Sequence, residues 1–211
     1  MSETSGPLFE MRRLETLSNT VFGVAMTLLA YDLPKSSSLP AVPDWTSLYR
    51  AYAHQISGLT MSFLIAGMFW MSHQRRLAKV PQANRGVVLL NLLFLMLIVL
   101  LPASNGLNAN YRDNSTVAVI YGTHLTLLAA LNAFLWYLAR SPRDADSEFV
   151  GAVFPVGVMF ASTIFAIFQP LYAQTVMFIA FAGPVIGWWT LRRRKSSAAA
   201  ATPGAEPTPE P

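Results

Sequence analysis

The sequence contains no cysteine, which excludes a disulfide framework, a thiolate nucleophile and any Cys-ligated metal centre. Charge is scarce too: Asp, Glu, Lys and Arg make up 12% of the 211 residues, against about 25% in soluble domains. Also missing are a TVGYG-like carbonyl filter, a phosphate-binding loop, a zinc motif, paired acids within apolar stretches and a serial-arginine voltage sensor. Nothing in the spans offers residues for intramembrane catalysis, so an enzyme is the least favoured class, and no cofactor, metal or small-molecule substrate is expected. The net charge of +4 invites a nucleic-acid partner. That reading is rejected, because the basic residues fall in short clusters between apolar runs, with no basic face or recognisable module.

What is abundant is hydrophobic sequence, 53% of the chain, gathered in long runs. A helix needs about 20 residues to cross a hydrocarbon core of about 30 Å, and the runs give six such segments. The first, Leu14 to Leu33, exceeds the apolar region of a secretory signal and reads as a retained span. The second begins at a predicted N-cap, Asp44, and runs to about Ser72. The others are Gly86 to Leu101, about Thr116 to Ala139, Phe149 to Phe168, and Leu171 to Leu191, with Pro155 and Pro184 inside spans. The expected organisation is a short N-terminal cytoplasmic segment (1–11), an all-α six-helix transmembrane domain (12–195) and a disordered cytoplasmic tail (196–211). No internal repeat is apparent, so a pore with rotational symmetry would need several copies of the chain.

Orientation follows from the basic residues. With the N-terminus inside, the inner side receives Arg12, Arg13, Arg75, Arg76, Lys79, Arg85, Arg140, Arg143, Arg192, Arg193, Arg194 and Lys195. The outer side receives only Lys35, Arg50 and Arg112. Aromatic residues flank both sides, Tyr31, Trp45, Tyr49, Tyr111 and Tyr172 outside and Trp70, Trp136, Tyr137, Trp188 and Trp189 inside. Both signals predict a multi-pass cell-membrane protein with cytoplasmic termini.

Polar groups within spans are costly and are default functional candidates. The first span is the richest, with Arg13, Glu15, Ser18, Asn19, Thr20, Thr27 and, at its outer end, Asp32. Thr20, Val24, Thr27 and Tyr31 follow the i, i+4, i+7, i+11 stripe of one helical face. Such a stripe suits a surface lining water; the other reading is ordinary packing, with each threonine bonded back to its own helix. The second span ends in Trp70-x-x-His73, at the depth of Arg13, Ser18 and Asn19, so an inter-helix polar network is expected there. Its alternative is an interfacial Trp, a snorkelling Arg and a solvated loop His. His54 is expected to be wet. His124 is favoured as a neutral residue bonded to a neighbouring helix, with a proton relay as the alternative. Asn91, Asn132 and Ser162 are expected to be helix–helix glue.

The segment RLETLSNTVFGVAMTLLAYDL, Arg13 to Leu33, resembles the first helix of the transmembrane-protein-175 potassium channel family. That family's hallmark is Arg, three residues, then Phe-Ser-Asp, followed by an apolar helix with a Thr-Leu-Leu type run. Here these are Arg13, Leu17-Ser18-Asn19 and Thr27-Leu28-Leu29. Trp70-x-x-His73 followed by Arg75 and Arg76, and the segment Asn91 to Pro102, are similar to the family's second and third helices. The resemblance implies a homotetramer with four first helices around a central pore. It also implies a hydrophobic constriction at Val24, a hydroxyl layer tied to potassium preference at Thr27 and a next layer at Tyr31. Potassium ions are then the permeant species, and Asp32 would concentrate cations at the outer mouth; the other reading of Asp32 is a helix-end acid that simply faces solvent. Three departures stand out: Leu17 replaces Phe, Asn19 replaces an Asp that would neutralise Arg13, and Tyr31 replaces an aliphatic residue. The rival readings are a proton-permeable channel or coupled carrier using His73 or His124, and a non-transporting membrane scaffold.

Overall fold

The computed structural model describes residues 11–35, 37, 39–78, 85–139, 145–177 and 179, without the side chains of 32, 54, 139, 145–148 and 150. Among the described residues all regular secondary structure is helical. Six α-helices run in order: α1 Met11–Leu28, α2 Trp45–Leu77, α3 Arg85–Asn110, α4 Ser115–Ala139, α5 Ala145–Phe168 and α6 Pro170–Met177. A 3-10 turn, Leu29–Asp32, continues α1. Four of the helices, α2 to α5, contain stretches long and apolar enough to cross a membrane. The charges Arg12, Arg13 and Glu15 at its start set α1 apart from them. Apart from residue 179, the residues beyond Met177 in the expected sixth span, Pro184 and the expected tail lie outside the described residues.

The helix ends have local causes. α2 starts where the sequence predicts it, because Asp44 accepts from the Ser47 backbone N–H at 2.8 Å and its own N–H donates to Ser47 Oγ at 3.0 Å. This reciprocal box satisfies two donors that the helix would otherwise leave open. The Ser47 hydrogen bonds also hold the Asp44 carboxyl below its ordinary value. At the other end α2 passes the expected stop near Ser72 and continues to Leu77.

α3 departs most from expectation. It does not end at Leu101 but carries Pro102 inside and continues to Asn110. Proline already has a helical φ and lacks only one donor, and within a bundle neighbouring groups compensate for the freed backbone. The extra turns are tied down: Ser62 on α2 donates to Asn105, and Ser104 bonds His124 on α4 at 2.7 Å.

One core runs through the bundle. Phe22, Ala25 and Leu29 from α1 meet Ile65 and Phe69 from α2, Phe94 and Ile98 from α3, and Leu125 and Leu128 from α4. In lipid such helices associate through close packing and hydrogen bonds more than by water exclusion, which favours small residues at contacts. Gly122 on α4 shows this against α5, since a Cβ there would lie 2.6 Å from Thr163 Oγ1 and 3.1 Å from its Cα. The neighbouring Thr126 and Thr163 hydroxyls meet at 3.2 Å, and Ser162 donates to the Ala173 carbonyl of α6 at 2.7 Å.

Candidate functional site around the first helix

α1 has two unlike faces. Leu14, Ser18, Phe22 and Ala25 are buried at steps of four and three residues, and Leu29 carries the face into the 3-10 turn. Phe22 is 1% exposed. The opposite face is open on the single chain: Thr20, Val24 and Thr27 are exposed, as is Tyr31 in the turn. Val24 is 53% and Tyr31 70% exposed. The four stripe residues therefore lie on the uncovered side of the helix.

The threonine hydroxyls on this face are bonded within the helix. Thr20 donates to the Thr16 carbonyl at 2.9 Å and Thr27 to the Val24 carbonyl at 2.7 Å. Back-bonding uses the hydroxyl hydrogen and leaves the oxygen's lone pairs to point away from the carbonyl. The packing alternative and the water-lining alternative are thus compatible in their hydrogen bonds; among the described residues no helix covers this face. Asp32 is in the 3-10 turn directly after Tyr31, and its side chain lies outside the described atoms.

The polar residues expected to form one network divide into two groups on either side of α1. On the open side, Trp70 Nε1 donates to Asn19 Oδ1 at 2.9 Å, and the Gln74 amide donates to the same oxygen. One asparagine carbonyl of α1 thereby takes two donors from the last turns of α2. On the buried side, Ser18 donates to its own helix at Leu14 and exchanges a longer contact of 3.3–3.4 Å with Asn91 on α3. His73 is fully buried here, stacked on Phe94 at 4.5 Å and tilted to Phe22 at 5.9 Å. It is not a solvated loop residue. Arg13, at the start of α1, is exposed.

Three partners were hidden from the pattern. Gln74 lies four residues after Trp70 and shares its face, a spacing that could have identified it. Ser104 and Asn105 were passed over because Pro102 reads as a helix stop. His124 reaches α3 as expected: its Nε2 faces the Leu97 carbonyl at 2.9 Å and its Nδ1 the Ser104 hydroxyl. A carbonyl only accepts, so Nε2 carries a proton, while Nδ1 faces a Ser104 hydroxyl that also reaches the Leu101 carbonyl at 3.0 Å. Asn91 and Ser162 also join helices, as expected of them, whereas the Oδ1 of buried Asn132 meets no hydrogen-bond partner among the described residues. The expectation for His54 concerns a side chain outside the described atoms.

Comparison with known proteins adds to this geometry. Residues 13–102 match the family described as endosomal/lysosomal potassium channel TMEM175. A potassium channel of Streptomyces collinus is 29% identical over 140 residues, a stretch covering 63% of this chain and 66% of that protein. One from Chamaesiphon minutus is 27% identical over 154 residues, 68% of this chain and 75% of that one. The fold is similar to the crystal structure of a lysosomal potassium-selective channel TMEM175 homolog from Chamaesiphon minutus. The TM-score is 0.74 with 22% sequence identity, over 84% of this chain and 97% of that one. The matched segment holds both faces of α1, the α2 ending that braces it and the part of α3 that backs it, and over it the chain is similar to the TMEM175 family, with potassium channels, not enzymes, as the relatives it matches.

Proposed function

We propose that this chain forms a potassium-selective cation channel in which four copies bring their α1 helices together around a central path. The observation that carries the reading is the division of α1 into a packed face and an uncovered face bearing Thr20, Val24, Thr27 and Tyr31. A helix buried on one side, with hydroxyls and a valine exposed on the other, is suited to lining water once copies surround it. The names of the relatives, potassium channels from two bacteria, support the choice of ion.

Each residue has a role in this reading. Four Val24 side chains form an apolar neck that resists wetting when narrow. Four Thr27 oxygens, their hydrogens turned back to the Val24 carbonyl, offer acceptors that replace part of a cation's hydration shell. Four Asp32 carboxylates draw cations to the outer mouth, and Tyr31 sets the width just inside it. The Asn19–Trp70–Gln74 bonds hold α1 against α2, so the neck keeps its radius. The inner placement of both termini follows the same reading, from the basic residues. His124, committed to α3 through both ring nitrogens, is poorly placed to relay protons, which weighs against the carrier.

Purified full-length protein in liposomes under imposed gradients tests this. Potassium flux is expected to exceed sodium flux, and Thr27→Ala is expected to erode that preference while the tetramer persists in light scattering. Flux equal to empty vesicles, or a monomer, would overturn the reading.

A further inference from the structure

At the end of the bundle where α1 begins, three helix ends are clamped together. Leu14 of α1, Leu77 of α2 and Val87 of α3 form a small buried cluster of their own, with Met11 and Val88 packed against it. Two residues before each clamp residue stands an arginine: Arg12, Arg75 and Arg85. Two residues along a helix turn the side chain through about 200°, so a helix that points its apolar residue into the clamp points its arginine out of it. All three arginines are exposed, while Leu14, Leu77 and Val87 are 6%, 1% and 4% exposed. Arg13 adds a further exposed guanidinium. Among the described side chains acids are sparse here: the last turn of α2 carries Arg75 and Arg76, the first turn of α3 has no acid, and α1 contributes only Glu15.

The depth of this rim is fixed by the helices that bear it. α2 ends and α3 begins here, and both contain candidate spans. Trp70, 40% exposed, lies five residues before Arg75, about 7.5 Å below it along the helix. An exposed tryptophan at that height is typical of the headgroup boundary. Exposed Met71 continues an apolar surface beneath the charges.

We infer that the rim formed by Arg12, Arg75 and Arg85 binds anionic phospholipid headgroups, each outward-pointing guanidinium meeting a phosphate of its own, with the acyl chains lying along the apolar surface below. Guanidinium forks match phosphate oxygens in pairs, and a charged rim above an apolar wall fits an amphipathic ligand at both ends. The inference needs only that the chain lies in a bilayer, not that it conducts.

The test uses the full chain in nanodiscs, with quenching of tryptophan fluorescence by brominated phosphatidylglycerol compared with brominated phosphatidylcholine. Phosphatidylglycerol is expected to quench at lower mole fraction, by about fivefold for each arginine engaged. The combined Arg12→Gln, Arg75→Gln, Arg85→Gln variant should lose that preference, and the same three changed to Lys should keep most of it. Rising salt should weaken the preference in the wild-type protein, a readout that holds even if the glutamine variant misfolds. Equal quenching by the two lipids, indifference to salt, or a preference intact in the glutamine variant would each overturn the inference.

Discussion

α1 and α4 both carry threonines and an amide within a helix, yet use them differently. On α4, Thr126 meets Thr163 across an approach so close that Gly122 has room for no side chain, and His124 is bonded to α3 through both nitrogens. On α1, Thr20 and Thr27 donate to the Thr16 and Val24 carbonyls of their own helix, on an uncovered face. The same residue type is thus glue where a helix stands opposite and a candidate lining where none does. Composition is nearly silent on the choice; the neighbours make it.

The largest effect should come from breaking the close side of this contrast. Gly122→Ala places a methyl group 2.6 Å from Thr163 Oγ1, and we expect a loss of about 1–3 kcal/mol, seen as a lower thermal midpoint in detergent. Adding Thr163→Ala should recover part of it, since the hydroxyl goes while the backbone of residue 163 still crowds the new methyl group at 3.1 Å. A smaller loss, about 1 kcal/mol, is expected for His124→Leu, which strips partners from Ser104 and Leu97. If it also abolished flux with stability unchanged, the division between glue and lining would fail.

The open side can be sharpened instead. Asn19→Asp would turn the oxygen that receives Trp70 and Gln74 into a carboxylate, and charge-assisted hydrogen bonds are roughly twice as strong as neutral ones. We expect a modest rise in thermal midpoint, cancelled when Trp70→Phe is combined with it. The smallest effect concerns neither helix but the cap of α2. Because Ser47 holds the Asp44 pKa below 3.8 in the folded chain, the cap contributes fully at higher pH and fades as pH falls through the lowered folded value. Asp44→Asn should flatten that acid-side slope in melts between pH 7 and 3.

Much of the fold was legible before the structure. Run lengths located the helices, and Asp44 announced the start of α2 because capping is a local interaction. The ends of α2 and α3 were not legible. Pro102 and the polar stretch after Ser72 look like stops, but contacts with other helices continue both. The candidate site divides in the same way. The stripe on α1 could be read from helical period alone, whereas the split of the polar cluster into an Asn19 side and a Ser18 side could not. That split depends on the angle at which α2 and α3 meet α1.

What the sequence by itself determined is that the chain is built of apolar helices and that Thr20, Val24, Thr27 and Tyr31 share a face, since both follow from hydropathy and the pitch of one helix. Only the tertiary structure decided that this face is left uncovered, that His73 is buried and stacked on Phe94, and that Gln74, Ser104 and Asn105 are bonding partners. Those facts depend on which helix stands opposite which, and no single helix carries that information in its own pattern.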